Sequence, residues 1–70
     1  MSNRLMQVHR VVRSITLANV GDGPIAYHNE YLRVLNKTFF LGLITADQAE
    51  ELACLVDEWY SDTLEALANA

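Results

Sequence analysis

Few residues in this chain have the types and spacing that chemistry requires. Seventy residues hold one cysteine, Cys54, and two histidines, His9 and His28. A reactive thiolate needs a cation or a helix N-terminus beside it, whereas Cys54 sits among Glu50, Glu51, Asp57 and Glu58, whose charges oppose another anion there. A structural zinc site takes four ligands at short, regular spacings, and His9, His28 and Cys54 stand far apart with no such spacing. No Ser–His–acid set is evident. Gly21-Asp22-Gly23 is too short for a phosphate-cradling loop and reads as turn chemistry. His28 falls in the middle of an apolar stripe, where a packed imidazole bonded to a neighbour is expected. The reading is of a non-enzymatic chain with no catalytic residues, no metal and no cofactor.

Charge is more informative. Residues 1–37 carry all five bases, Arg4, Arg10, Arg13, Arg33 and Lys37, against two acids, a balance of +3. Residues 38–70 carry seven acids and no base, a balance of −7, which gives the formal net charge of −4. Asp47, Glu50 and Glu51 suit the positive end of a helix dipole. Asp57, Glu58, Asp62 and Glu65 have no such role and no i,i+4 base to pair with. This row is either a solvated face, paired in part with Arg10 or Arg13, or an anionic surface aimed at a basic partner. Electrostatic steering would raise the on-rate of that partner.

Three helices are expected to position these groups. In residues 3–19, Leu5, Val8, Val11, Val12, Ile15 and Ala18 share one face at about 100° per residue. Gln7, His9, Arg10, Arg13, Ser14 and Thr16 fall opposite. The β-branched residues there work against a helix, but the pairs Val11-Val12 and Leu17-Ala18 break strand alternation. Residues 20–23 form a turn, and Pro24 suits a first helical position. The second helix, 24–41, carries a stripe of Ile25, His28, Leu32, Leu35 and Phe39, widened by Tyr27, Tyr31, Val34 and Leu41. So wide a stripe implies contacts on two sides. Gly42 is placed for a left-handed cap, and Thr45-Ala46-Asp47-Gln48 matches a capping box. Ile44 precedes that box in position to staple onto Ala49. Residues 42–45 are therefore a tight turn, and the second and third helices form an antiparallel αα-hairpin. The third helix, 46–67, places Ala49, Leu52, Ala53, Val56, Tyr60, Thr63, Leu64 and Leu67 on one face. The expected class is all-α: one domain over 1–70, three helices, dimeric.

Size and composition support association. A chain this short buries only about 60% of its unfolded surface, yet 51% of its residues are hydrophobic and its mean hydropathy is +0.08. Apolar surface should be left for a partner. With three Gly, one Pro and no long loop, little room is expected for an enzyme pocket. No run approaches the ~18–20 apolar residues of a membrane span. Basic residues interrupt any signal-peptide core, and one unpaired cysteine suits a reducing compartment. The expected location is the cytoplasm.

Phe40, Leu55 and Trp59 lie on or beyond the edge of their core faces. Aromatic residues are enriched as interface anchors. With Glu51, Glu58 and Asp62 they are the expected partner-binding residues, although Trp59 could equally belong to the core. The competing reading is a small nucleic-acid-binding regulator that uses Arg10 and Arg13 on the first helix. Against it stand a pI of 4.8 and an acidic third helix, because nonspecific affinity for nucleic acid comes from basic charge. The hairpin from Leu35 to Gln48, in an acidic chain of 70 residues, resembles the small helical proteins that temperate phages encode to disarm host proteins. In size and layout it is similar to phage quorum-sensing anti-activators. That resemblance implies a compact helical homodimer that binds a host transcription activator at its DNA-binding region.

Overall fold

The computed structural model describes residues 2–70. Three helices follow one another: α1 (Asn3–Val20), α2 (Pro24–Phe40) and α3 (Ala46–Ala68). The fold is all-α, and among the described residues there is no strand. The expected helix limits hold to within one residue at each end.

Local sequence explains each boundary. The Ser2 hydroxyl accepts a hydrogen bond from the Leu5 amide at 3.1 Å and starts α1. Gly21, at φ 75°, ends it in a backbone region that a side chain would disfavour. Gly23 is the N-cap of α2 and Pro24 opens the helix. At the other end, the Gly42 amide donates to the Phe39 carbonyl and the Leu43 amide to the Thr38 carbonyl. With Gly42 at φ 76°, this is a Schellman termination. The capping box of α3 is complete: Gln48 N–H donates to the Thr45 hydroxyl at 3.1 Å, and Thr45 N–H donates to the Gln48 side chain at 2.9 Å. Ile44 is buried beside it, and Ala49 packs against the same core. The αα-hairpin thus rests on short-range signals at both ends of a five-residue connection, residues 41–45.

α2 lies between the other two helices and packs on both, while α1 and α3 scarcely touch. The core comprises Leu5 and Val12 from α1, Tyr27, Tyr31, Val34 and Leu35 from α2, Ile44, and Leu52 and Val56 from α3. The wide stripe of α2 is accounted for by its two helical neighbours.

The buried face of α1 departs from the expected one. Val11, Ile15 and Ala18 are exposed, whereas Thr16 is fully buried and His9 is half-buried. Hydropathy alone misplaces this face, because both polar groups find partners inside. The Thr16 hydroxyl donates to the Val12 carbonyl of its own helix at 2.7 Å, and Nδ1 of His9 shares a hydrogen bond with the Tyr31 hydroxyl at 2.8 Å. In α2, Ile25 and Phe39 are likewise exposed, as is Leu41 just past its end, and Tyr27, Tyr31 and Val34 take the interior instead. In α3, Leu64 and Leu67 lie outside the core.

The corrected faces have a measurable consequence. Leu52→Ala removes a fully buried side chain and should lower stability by about 2–5 kcal/mol. Ile25→Ala, at an exposed position, should change it by no more than about 0.5 kcal/mol. Urea denaturation followed by circular dichroism distinguishes the two; equal losses would place Ile25 in the core.

Candidate functional site

Because α1 and α3 scarcely touch, a cleft opens between them beside Tyr27 of α2. Its volume is about 300 Å³, and its walls include Leu17, Leu55, Val56 and Trp59, with His9, Arg13, Asp22 and Tyr27 supplying the polar positions. This departs from the expectation that so short a chain leaves little room for a cavity. The cleft exists because the middle helix, not a closed three-way core, holds the bundle together.

The cleft brings two of the expected anchors together. Leu55 is half-buried and packs against the core. The indole of Trp59 lies tilted on Tyr27, with ring centroids 4.9 Å apart, and is 39% exposed. Trp59 is therefore part core and part surface. Glu51, Glu58 and Asp62 are all exposed. At about 100° per residue, Glu51, Leu55, Glu58 and Asp62 fall within a narrow stripe of α3, with Trp59 on its flank. Carboxylates thus run alongside the apolar wall of the cleft. Phe40 does not join them. It is 76% exposed and stands at the end of α2 remote from Tyr27, beside Phe39. An antiparallel hairpin sends position 40 to its turn and position 59 to its open end.

Among the described residues, no lysine or arginine pairs with the acids of α3; the ion pairs are His28–Asp57 and Arg33–Glu30. Nε2 of His28 donates to Oδ1 of Asp57 at 2.7 Å, and its ring stacks on Tyr60 with centroids 4.1 Å apart. This is the packed, partnered histidine expected from its place in the stripe. Arg10 and Arg13 are both exposed on α1, one turn apart. Arg13 lines the cleft, whereas the Arg10 guanidinium reaches back to the Met6 sulfur at 3.8 Å. Cys54 is exposed.

Burial and the nearby Arg13 guanidinium lower the pKa of His9 below 6.5, so its imidazole is neutral at pH 7. Burial also raises the Tyr27 and Tyr31 hydroxyls above their ordinary value of 10, with Arg13 opposing the shift at Tyr27. On the outer surface, hydrogen bonds from Arg33 and Asn19 pull Glu30 down to about 2. The cleft thus offers a neutral imidazole, one un-ionised phenol, one guanidinium and one carboxylate beside apolar walls. None of these is an activated nucleophile, and the arrangement suits the seating of a partner side chain.

A second surface was not expected from the sequence. An apolar groove of about 580 Å³ runs between α1 and α2 and includes Val8, Val11, Ile15, Leu41 and Leu43. Arg4, Arg33 and Lys37 form its basic rim. The clue in the sequence was the breadth of the α1 stripe: six apolar positions on a helix with one close neighbour cannot all be buried.

Comparisons with protein-family models, curated proteins and solved structures find no match to this chain. Among the described residues, no helix is long and apolar enough to cross a membrane.

The lowered pKa of His9 fixes the sign of one pH effect. The folded state resists protonation of this ring, so the associated stability is full above pH 6.5. It is lost as pH falls through 6.5 towards the depressed native pKa. His9→Gln should flatten this part of the profile. Urea midpoints at pH 7.5, 6.5 and 5.5 test this; parallel profiles for parent and variant would remove His9 as the cause.

Proposed function

We propose that this chain is a non-enzymatic protein-interaction module, a homodimer that binds a host protein carrying a basic surface and inhibits or modulates it. Following the family resemblance, the DNA-binding region of a transcription activator is the proposed target, with the cytoplasm as the place of action. The observation that carries the reading is the juxtaposition on α3 of the half-exposed Leu55 and Trp59 with Glu51, Glu58 and Asp62, which have no lysine or arginine partner among the described residues. A surface that binds a duplex is basic by necessity, and a row of carboxylates complements it. The cleft beside that row accommodates an apolar or aromatic side chain from the partner, in the manner of an interface anchor pocket.

The test is capture of the partner with tagged protein from lysate, followed by binding kinetics on the purified pair. Association should slow steeply as salt rises past ~0.15 M, where the Debye length is about 8 Å. Glu58→Lys with Asp62→Lys should slow association by about tenfold with the helical spectrum unchanged. Trp59→Ala should instead speed dissociation by about thirtyfold, the equivalent of ~2 kcal/mol. Salt-independent association, or tight binding of random duplex DNA by the parent protein in a gel shift, would overturn the reading.

A further inference from the structure

The groove between α1 and α2 is apolar along its floor and basic at its edges. Val8, Val11 and Ile15 recur at helical spacing along α1, and Leu41 and Leu43 close the end beside the hairpin turn. Val11 is 59% and Leu41 67% exposed, so the bundle itself covers neither. Arg33 and Lys37 stand one turn apart on the α2 edge, and Arg4 stands on the α1 edge. Among the described residues, no acid lines the groove. In a chain of net charge −4, three of the five bases gather here. Arg33 already holds Glu30 at 2.6 Å. Among the described residues, Arg4 and Lys37 have no ion pair. A bond to the Leu43 carbonyl at 3.2 Å keeps the Arg4 guanidinium at the mouth of the groove.

Shape and hydrogen bonding decide what can lie there. The groove follows α1 from Arg4 to Asn19, ~22 Å at 1.5 Å per residue, which is about four helical turns. Its walls are helices whose amides are bonded internally, so an extended strand seated on them would bury unpaired backbone groups. A helix satisfies its own backbone and needs only an apolar stripe to dock. No helix of this chain meets both demands. A second copy's α1 or α2 would bring Arg4 or Arg33 beside its exposed apolar residues, base against base. On α3, Leu64 and Leu67 fall on a different side from Asp62 and Glu65 at ~100° per residue. Glu51, Glu58 and Asp62 flank Leu55 and Trp59 instead, which pack on the core and on Tyr27.

We propose that the α1/α2 groove is a docking site for an acidic amphipathic helix of another protein. The apolar stripe of that helix lies over Val11 and Ile15. The floor is built of short β-branched side chains, which leaves depth for leucine or phenylalanine. A carboxylate on one flank meets Lys37, beside the Arg33–Glu30 pair, and a carboxylate on the other meets Arg4. This partner is distinct from the basic one proposed for α3, and neither reading depends on the other.

Synthetic peptides of about 15 residues, the length of the groove, test the site. One carries a leucine stripe flanked by glutamates. The second carries the same stripe flanked by lysines, and the third scrambles the first. In fluorescence anisotropy against the full chain, the acidic peptide should bind at least about tenfold more tightly than either of the others. It should move the amide NMR resonances of Val8, Val11 and Ile15 and leave those of Leu55 and Trp59 in place. Arg4→Glu with Lys37→Glu should exchange the preference, so that the lysine peptide binds the more tightly. Val11→Asp, at an exposed position, should weaken the acidic peptide by at least about tenfold. Circular dichroism of each variant establishes that it is folded. Equal binding of the acidic and basic peptides, resonance shifts centred on Leu55 and Trp59, or no binding of the acidic peptide would overturn the proposal. It also fails if light scattering shows Val11→Asp turning a parent dimer into monomers, since a second copy then fills the groove. Adsorption of the parent to phosphatidylserine vesicles without binding of the peptide would make the groove a lipid-facing surface instead.

Discussion

Tyr31 is fully buried midway along α2, and the rest of the bundle depends on how that helix is shared. On one side the Tyr31 hydroxyl meets His9 of α1 at 2.8 Å. On the other, His28 bonds Asp57 and stacks on Tyr60 of α3. Leu35 and Val34 extend the same division towards the turn. A chain of this length cannot enclose a core from every direction. It wraps one helix with two others, and the outer pair are left with little to say to each other. The cleft and the uncovered groove both descend from that choice. Each outer helix spends one face on α2 and presents the remainder to solvent.

The polar groups inside this arrangement are well placed for their burial. Thr16 bonds backwards to its own helix, which satisfies a fully buried hydroxyl without a tertiary partner. Among the described residues, no buried side-chain nitrogen or oxygen lacks a hydrogen-bond partner. Since an unpaired buried polar group costs about 1–3 kcal/mol, a small core has little tolerance for one. The outer surface follows a different logic. Asn19 of α1 donates to Glu30 at 2.8 Å, and Arg33 holds the same carboxylate. This ties the end of α1 to α2 beside the turn. On α3, Asp57 plays that part towards His28 of α2, whereas among the described residues no ion pair holds Glu51, Glu58, Asp62 or Glu65. Glu65 even lies near the negative end of the dipole, where a carboxylate is disfavoured.

What could be read from the sequence divides by range. The hairpin was legible because Gly42, Thr45 and Gln48 act within six residues of one another, and their backbone demands do not depend on the rest of the fold. The helicity of α1 was legible because period overrides β-propensity when alternation fails at Val11-Val12. The phase of its buried face was not. That phase turns on whether Thr16 and His9 find bonds inside, and His9 finds its bond on Tyr31, twenty-two residues away. The site divides the same way. Leu55, Glu58, Asp62 and Trp59 belong together by helical spacing alone. Phe40 shares with them only a place beyond the edge of its own core face, and the hairpin register carries it to the far end. The basic groove needed the packing of α1 on α2, which no local pattern encodes.

The two exposed surfaces lie on different sides of the helices they share. On α1, His9, Arg13 and Leu17 face the cleft, while Arg4, Val8, Val11 and Ile15 face the groove. At about 100° per residue their centres are roughly 170° apart. On α3, Leu64 and Leu67 point away from the stripe of Glu51, Leu55 and Glu58 by a comparable angle. The net charges of the two surfaces also differ in sign, so neither attracts what the other holds. A bundle that closed α1 onto α3 would have buried Trp59 and lost the cleft. Keeping the core on α2 alone leaves both surfaces available in 70 residues, and the apolar side chains displaced from the interior become the means of association.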